Sequence, residues 1–327
     1  MDKKDLRIVY MGTPDFAVES LQALVAGGYQ VAGVVTMPDK PVGRHGSRLQ
    51  ASPVKHYAQS RGLPVLQPEK LRDETFLHAL QSWQADLQIV VAFRMLPEVV
   101  WNMPRFGTFN LHASLLPQYR GAAPINRAII RGEKETGVTT FFLTHEIDTG
   151  KIIRQQRLPI AETDDAGIVH DALMVMGAKL VVETVDLLLA NDGRIAAIPQ
   201  ETLYRSDTEL HPAPKLFKET CRIDWHQPAK PIYDFIRGLS PYPAAWTEWV
   251  TPDGVSQPLK IFRSEIHPEP HSLPVGVLRT NGKDCLEVAV KDGFLRLLSL
   301  RLAGKKQLDV KDFLNGVKQS VHRVRLL

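Results

Sequence analysis

The residues best suited to chemistry lie in one stretch of the chain, from Phe109 to Pro124. Side chains alternate along an extended segment, so Asn110, His112 and Ser114 would share one face. An amide beside an imidazole can hydrogen-bond an oxygen that gains negative charge, which suits reactions at a carbonyl group. Taken alone, an Asn-x-His pair is more often structural, because buried polar groups must be paired. The stretch therefore predicts a carbonyl site only if a further group joins it.

A candidate for that further group is Asp148, in the segment 145–150. Its Asp-Thr-Gly sequence is also ordinary turn chemistry, and alone it would indicate only a turn. A carboxylate near His112 would favour the charged imidazolium and fix the orientation of the ring. We therefore expect two loops at the same edge of one sheet to bring the pair together.

The scaffold for these side chains is predicted by the first half of the chain, where strand-like and helix-like segments alternate. Apolar runs predict strands at 6–11, 29–36, 86–92, 108–112, 138–143 and 151–154, and helices at 16–28 and 166–189. This pattern is typical of an α/β fold with a mostly parallel sheet covered on both faces. The first strand is not followed by Gly-x-Gly-x-x-Gly. The fold is therefore predicted to be Rossmann-like, with a ligand other than NAD or ATP.

The pattern changes after residue 190. Residues 191–210 lack sustained periodicity, and we predict that they form a linker. Beyond them, one helical stretch at 230–239 is followed by short β-like runs separated by turn residues. Such runs predict a smaller β-rich domain, a barrel or a sandwich. The predicted organisation is thus a Rossmann-like domain at 1–190, a linker at 191–210 and a β-rich domain at 211–327.

The composition indicates the class of protein and the cellular compartment. Of the 327 residues, 44% are hydrophobic and 23% are charged, which is ordinary for a globular protein. No secretory signal or membrane-spanning run is readable. Cys221 and Cys285 have no Cys-x-x-Cys spacing, so the sequence predicts neither a zinc site nor a disulfide framework. We expect a cytoplasmic protein that needs no metal.

The net charge of +4 is unevenly distributed along the chain. Residues 1–190 hold 20 basic and 20 acidic residues, residues 191–210 hold 2 and 4, and residues 211–327 hold 18 and 12. The last third therefore carries a surplus of +6. Such a surplus is compatible with a solvated basic face or with a polyanionic partner.

Several segments of the sequence resemble a known family. The block at 110–124 (NLHASLLPQYRGAAP), the THEIDTG segment at 144–150 and MGTPDFAVESL at 11–21 are similar to the folate-dependent formyltransferases. Residues 223–225 (IDW) and 237–246 (RGLSPYPAAW) are similar to the methionyl-tRNA formyltransferases in particular. Residues 36–55 resemble the basic loop that this family inserts after its second strand. The resemblance covers essentially the whole chain.

This resemblance implies an activity and a catalytic set. The implied reaction moves the formyl group of 10-formyltetrahydrofolate to the amino group of initiator methionyl-tRNA, without a metal. Asn110 and His112 would hold the formyl oxygen as it gains charge, and Asp148 would orient His112. The domain at 1–190 would be catalytic, and the domain at 211–327 would be an OB-like β-barrel that binds tRNA. We expect a monomer with no membrane partner.

The resemblance also implies binding residues. The folate site would be lined by Ser114, Leu115, Leu116 and Pro117, and the pterin pocket would be formed by Phe93, Arg94, Met95 and Leu96. The predicted tRNA contacts are Phe16, Lys40, Arg44 and Arg48. Core packing is the competing interpretation of Phe16.

Three other functions remain open from the sequence. One is a formyltransferase that acts on a small amine, such as an amino-sugar nucleotide or a glycinamide ribonucleotide. Another is hydrolysis of a formyl-tetrahydrofolate to formate. The third is a protein that binds RNA or folate without catalysis. The basic last third argues against the first, and the complete set of Asn110, His112 and Asp148 argues against the third.

Overall fold

The computed structural model of this chain describes residues 1–42, 48–251, 254–317 and 325–326. The strands are β1 (Arg7–Gly12), β2 (Gln30–Val35), β3 (Lys40–Val42), β4 (Arg48–Gln50), β5 (Val65–Leu66), β6 (Leu87–Val91), β7 (Thr108–His112), β8 (Glu135–Phe142), β9 (Ile152–Pro159), β10 (Ala245–Val250), β11 (Ser256–His267), β12 (Leu278–Thr280), β13 (Leu286–Val290), β14 (Gly293–Leu302), β15 (Leu308–Asp309) and β16 (Arg325–Leu326). The helices are α1 (Asp15–Ala26), α2 (Pro53–Ser60), α3 (Glu74–Ser82), α4 (Glu98–Trp101), α5 (Pro124–Ile130), α6 (Ala166–Ala190), α7 (Ala229–Leu239) and α8 (Val310–Gly316).

The chain divides into two compact units. The first unit consists of Met1–Gly121, Glu135–Pro159 and His170–Pro212, and the second consists of Ala122–Lys134, Ile160–Val169 and Ala213–Leu327. The second unit thus includes two segments that lie within the predicted domain 1–190. Sequence patterns did not reveal this exchange, because it depends on packing between segments far apart in the chain.

In the described part of the first unit, the main sheet has the strand order β5-β2-β1-β6-β7-β8-β9. Neighbouring strands are parallel from β5 to β7, whereas β8 and β9 are antiparallel. Every residue of β6 is buried, as expected for a strand covered on both faces. The prediction of a Rossmann-like, mostly parallel sheet is confirmed.

Gly12 ends β1 and allows α1 to approach the sheet closely. A Cβ atom at this position would lie 2.7 Å from the Cβ of Ala17 and 2.9 Å from the carbonyl oxygen of Val91. Any larger residue would therefore push α1 away from the carboxyl end of β6. This glycine therefore serves close packing of α1 on the sheet.

In the second unit, an antiparallel sheet has the order β12-β13-β14-β11-β10-β16. The backbone N–H of Leu326 in β16 donates to the carbonyl oxygen of Gly276, just before β12, at 3.2 Å. This bond joins the two ends of the strand order, as in a closed barrel. Trp249 and Phe313 pack edge to face in the core, with ring centroids 5.3 Å apart. The predicted β-rich character of the C-terminal domain is confirmed.

Helix α5 belongs to the second unit because it packs against α7. A Cβ atom on Gly238 would lie 2.9 Å from the backbone nitrogen of Ile130, so the glycine permits this close contact. The Asn126 side-chain amide donates to the Gly238 carbonyl at 2.7 Å. Ile130 also packs against the apolar core of the barrel.

Glu287 is the centre of a charged cluster in the barrel. It is only 2% exposed, and its carboxylate accepts hydrogen bonds from Arg279 at 2.6 Å, His267 at 2.8 Å and Arg296 at 3.0 Å. Burial alone would raise the pKa of Glu287, but the hydrogen bonds from these partners outweigh it and lower the pKa below its ordinary 4.5.

We expect Glu287→Gln to reduce the free energy of unfolding by about 1.5 to 3 kcal/mol at neutral pH, because it removes a buried charge that pairs with cations. The pKa of Glu287 is lower in the folded than in the unfolded chain. Wild-type stability should therefore fall as the pH drops below about 4.5, and the variant should lose less over that range. Chemical denaturation at several pH values measures both effects. Exposed Glu219 in the same unit supplies the matched control, Glu219→Gln. Equal stability of the two variants would show that the cluster is not stabilising.

Across the described ranges, no helix is both long and apolar enough to span a membrane.

Candidate active site

Strand β7 presents the two polar side chains that sequence analysis singled out. His112 is 7% exposed, and Asn110, two residues earlier on the same face, is partly buried. Leu111 lies between them on the opposite face and is 3% exposed. Among the described residues, the Asn110 side-chain amide has no hydrogen-bond partner. Its donor is therefore free to bind a ligand oxygen.

The two ring nitrogens of His112 face different groups. Nε2 lies 2.9 Å from the carbonyl oxygen of Tyr119. A carbonyl oxygen only accepts, so Nε2 carries a proton and donates it to this bond. Nδ1 is then the nitrogen that can gain or lose a proton, and it faces Asp148. The ring also packs edge to face on Phe141, with centroids 6.5 Å apart.

Asp148 completes the group. Its Oδ2 atom lies 3.8 Å from Nδ1 of His112 and accepts a hydrogen bond from the Gly121 backbone N–H at 2.9 Å. The side chain of Asp148 is 13% exposed. At this distance and burial, the carboxylate interacts electrostatically with an imidazolium and is only weakly screened. The structure therefore brings the predicted trio of Asn110, His112 and Asp148 together.

The route that brings Asp148 to His112 differs from the expected one. Strand β8 is antiparallel to β7, and Phe142 at its end pairs with Phe109 near the amino end of β7. The loop 143–151 therefore starts at the edge opposite the carboxyl end of β7 and extends along the sheet to reach His112. The expectation of two loops at one edge was wrong, because the direction of β8 cannot be read from its apolar pattern.

Three positions near His112 and Asp148 were not predicted to act in the site. The guanidinium of Arg120 donates to Oε1 of Gln200 at 2.6 and 3.1 Å, and Gln200 donates to the loop that carries Asp148. Gln200 lies in a short 3-10 helix, Gln200–Thr202, within the predicted linker. A lone Pro-Gln in an aperiodic segment gives no signal that would have identified it. Tyr119 was visible in the family-like block, but a role for its backbone carbonyl was not.

The predicted pterin segment follows β6 directly. Leu96 is 7% exposed in the apolar core, with Phe93 packed against the same cluster, whereas Met95 is 74% exposed. Arg94 donates to the carbonyl oxygens of Glu69, at 2.8 Å, and Pro68. Burial lowers the pKa of Arg94. The side chains thus hold the segment in place, which leaves its backbone available to a ligand.

The predicted folate-lining segment follows β7. Ser114 is fully buried and donates to the Gln118 carbonyl at 2.6 Å. Leu116 is 2% exposed in a small apolar cluster, Pro117 is buried, and Leu115 is partly buried. The side chains of Ser114 and Leu116 are therefore occupied by internal contacts, and Leu115 is the member most open to a ligand.

Two buried polar atoms near the carboxyl ends of β1 and β6 have no partner in the described residues. They are Oγ1 of Thr13 and Nε of Arg94. Unpaired buried polar atoms are costly unless a ligand or water satisfies them. Their position fits a polar ligand such as a folate, since ligands of such sheets bind beyond these strand ends. In the described ranges, no group of three or more His, Cys, Asp or Glu residues is arranged to hold a metal ion.

The predicted tRNA contacts have different placements. Lys40 and Arg48 are exposed on the paired strands β3 and β4. Arg44 lies outside the described residues. Phe16 is 6% exposed and packs edge to face on His170, with ring centroids 5.2 Å apart. This packing gives no support to stacking of Phe16 on a base and agrees with the competing interpretation of core packing.

Comparisons with known proteins agree with this geometry. Residues 6–185 match the family described as formyl transferase, and residues 215–318 match the formyl transferase C-terminal domain. The chain is 72% identical over 319 residues to methionyl-tRNA formyltransferase of Parabacteroides distasonis, covering 98% of each protein. It is 66% identical over 316 residues to the protein of the same name from Bacteroides fragilis, covering 97% of this chain and 96% of that one.

A solved structure shares the fold. HypX from Aquifex aeolicus, in complex with tetrahydrofolic acid, has a TM-score of 0.62 and 18% identity to this chain. The match covers 94% of this chain and 47% of HypX, so the chain spans about half of that protein's length. Together with the matches along the sequence, the arrangement around His112 leads to one conclusion. This chain belongs to the formyl transferase family, among the methionyl-tRNA formyltransferases.

Proposed function

We propose that this chain transfers the formyl group of 10-formyltetrahydrofolate to the amino group of methionine on initiator methionyl-tRNA. The product would be formylmethionyl-tRNA, which is used in translation initiation. One structural observation carries the proposal: the Asn110 amide, which has no partner among the described residues, lies on the face where His112 and Asp148 meet. The identity of 72% to a protein named methionyl-tRNA formyltransferase supports the choice of acceptor.

The roles of the trio follow from their geometry. When bound, 10-formyltetrahydrofolate supplies an N-formyl group whose oxygen gains negative charge as the acceptor amine attacks. Asn110 donates a hydrogen bond to that oxygen. His112, protonated at Nδ1, donates a second one. Fixed donors aimed at developing charge stabilise the transition state more than the ground state.

Asp148 has two roles in this step: it stabilises the positive charge on His112, and it accepts the proton that the attacking amine loses. Its carboxylate, 3.8 Å from Nδ1, stabilises the imidazolium of His112. The gap is too long for a direct hydrogen bond, so the Nδ1 proton remains available to the formyl oxygen. Through a water bound to its carboxylate, Asp148 can accept the proton that the amine loses and pass it to the folate nitrogen, whose bond to the formyl carbon breaks as tetrahydrofolate leaves. The Gly121 N–H holds the carboxylate in place during this transfer.

The binding site for the formyl donor is proposed at the carboxyl ends of β1, β6 and β7. The backbone of 93–96 would bind the pterin, and Leu115 would contact the folate. Thr13 and Arg94 supply polar atoms that lack partners in the described residues. These assignments follow from strand order and from burial.

The binding site for the tRNA acceptor is proposed to use the paired basic strands β3 and β4 and the basic residues of 211–327, where the surplus of positive charge is +6. Lys40 on β3 and Arg48 on β4 are exposed, whereas Lys55 is already paired with Asp39 at 2.7 Å. Exposed, unpaired cations can neutralise phosphates, whereas a paired lysine contributes less. We further propose that the protein works as a monomer in the cytoplasm.

We expect Arg48→Ala to raise the apparent KM for methionyl-tRNA and leave the KM for the formyl donor unchanged. The slope of log KM against log salt should become shallower by about one unit, since one phosphate contact is lost. Arg72→Ala, at an exposed position of the same unit, is the matched control and should change neither value. Unchanged tRNA kinetics in Arg48→Ala would remove Arg48 from the RNA interface.

The proposed function is tested by incubating the purified chain with 10-formyltetrahydrofolate and one acceptor at a time. The acceptors are initiator methionyl-tRNA, free methionine and an amino-sugar nucleotide, and both formylated product and free formate are measured. We expect formyl transfer to methionyl-tRNA alone. Transfer to the amino sugar would support the small-amine alternative, and formate release without an acceptor would support hydrolysis.

A further inference from the structure

Gln200 is a buried polar residue whose side-chain amide is hydrogen-bonded at both ends. It is 1% exposed. Its Nε2 donates to the carbonyl oxygens of Asp148 and Gly150, each at 2.8 Å. Its Oε1 accepts two hydrogen bonds from the guanidinium of Arg120, at 2.6 and 3.1 Å. Both N–H groups of the amide and its oxygen are thus used.

The two carbonyl groups that Gln200 binds belong to Asp148 and Gly150, on either side of Thr149 in the loop 143–151. Asp148 has a φ of +55°, in the left-handed region that costs energy for residues with a Cβ. A strained conformation persists only where surrounding contacts determine it. The bonds from Gln200 to both Asp148 and Gly150 fix the carbonyl orientations on either side of Thr149.

The side-chain oxygen of Gln200 binds Arg120, the neighbour of the residue whose N–H binds the Asp148 carboxylate. Arg120, which Gln200 binds, directly precedes Gly121, and the Gly121 N–H donates to Oδ2 of Asp148. Tyr119, on the other side of Arg120, supplies the carbonyl that holds Nε2 of His112. Gln200 is therefore bonded to both segments whose separation sets the distance of 3.8 Å between His112 and Asp148.

We propose that Gln200 is a positioning residue that holds the Asp148 loop against the 119–121 segment and so fixes the Asp148 carboxylate relative to His112. Only a primary amide of this length donates to two carbonyls and accepts from a guanidinium at once. Glutamate would accept from Arg120 but repel the two carbonyl oxygens, and leucine would do neither. The effect on catalysis rests on the proposed function, whereas the holding of the loop does not.

The test compares Gln200→Leu and Gln200→Glu with Gln88→Leu. Gln88 is a second fully buried glutamine of the same unit; its oxygen accepts from the Thr108 hydroxyl at 3.1 Å, and within the described residues its side chain makes no hydrogen bond to 143–151. We expect both Gln200 variants to lower kcat for formyl transfer by about tenfold to a hundredfold, because small displacements of catalytic groups have effects of this size. The KM for 10-formyltetrahydrofolate should change little, and Gln88→Leu should retain normal kinetics.

Hydrogen–deuterium exchange provides a readout that does not depend on turnover. Both Gln200 variants should exchange faster in 143–151 than the wild type, while Gln88→Leu should not. Unchanged exchange in either folded Gln200 variant would overturn the proposal that this residue holds the loop. Faster exchange with normal kcat would overturn its role in catalysis. If wild-type protein transferred no formyl group at all, the proposed function would fail, and exchange would still decide whether Gln200 holds the loop.

Discussion

Replacing His112 with alanine should lower kcat by about a hundredfold to a thousandfold, with the KM for 10-formyltetrahydrofolate nearly unchanged. Asn110→Ala should have an effect of the same size. Each change removes one donor to the oxygen that gains charge, so each should weaken transition-state stabilisation more than substrate binding. Asn110 has no protein partner in the described residues, so its loss should leave no buried group unpaired.

Steady-state kinetics with methionyl-tRNA and a direct measurement of folate binding check this result. His78→Ala is a suitable control, because His78 is an exposed histidine of α3 in the same unit. We expect the control to match the wild type. If His112→Ala or Asn110→Ala kept near-normal turnover, that residue would have no place in the mechanism.

The second large effect is expected for Asp148→Asn. The asparagine oxygen can still accept from the Gly121 N–H, so the loop should keep its position. The negative charge beside His112 is lost, as is the group that accepts the proton of the amine. We expect kcat to fall on the order of a hundredfold or more, with little change in stability.

Thermal unfolding should show that Asp148→Asn is folded, and kinetics should show that it is slow. Asp2→Asn, at an exposed position near the start of the chain, controls for the change of side chain. Near-normal turnover of Asp148→Asn would mean that Asp148 serves only as a turn residue, which its Asp-Thr-Gly sequence alone also allowed.

Sequence patterns predicted the parts of this molecule that depend on local geometry. The alternation of side chains along β7 placed Asn110 and His112 on one face. Apolar runs located β1, β2, β6 and β7 within one residue at each end, whereas the short parallel strand β5 was not predicted. Thr108–His112 was predicted with the bounds that the structure has. Period-two alternation and burial on both faces are properties of the strand itself, and so they are visible in one segment.

The remaining features depend on contacts between distant segments. The reversed direction of β8 is set by its pairing with β7 and β9, and its own residues do not encode it. The predicted linker shows the same limit, since Ile198 forms a bridge with Ile152, and Gln200 is buried. The aperiodic sequence of 191–210 predicts a linker, whereas Ile198 and Gln200 are held by hydrogen bonds to other parts of the chain.

The central claim is that His112 and Asp148 act as one unit, and a double-mutant cycle tests it most directly. Single-turnover rates of formyl transfer to methionyl-tRNA would be measured for the wild type, His112→Ala, Asp148→Asn and the double variant. Because Asp148 acts in part by stabilising the imidazolium, the double variant should lose less than the product of the two single losses. Losses that multiply in the double variant would show that the two residues act independently, and would contradict this account.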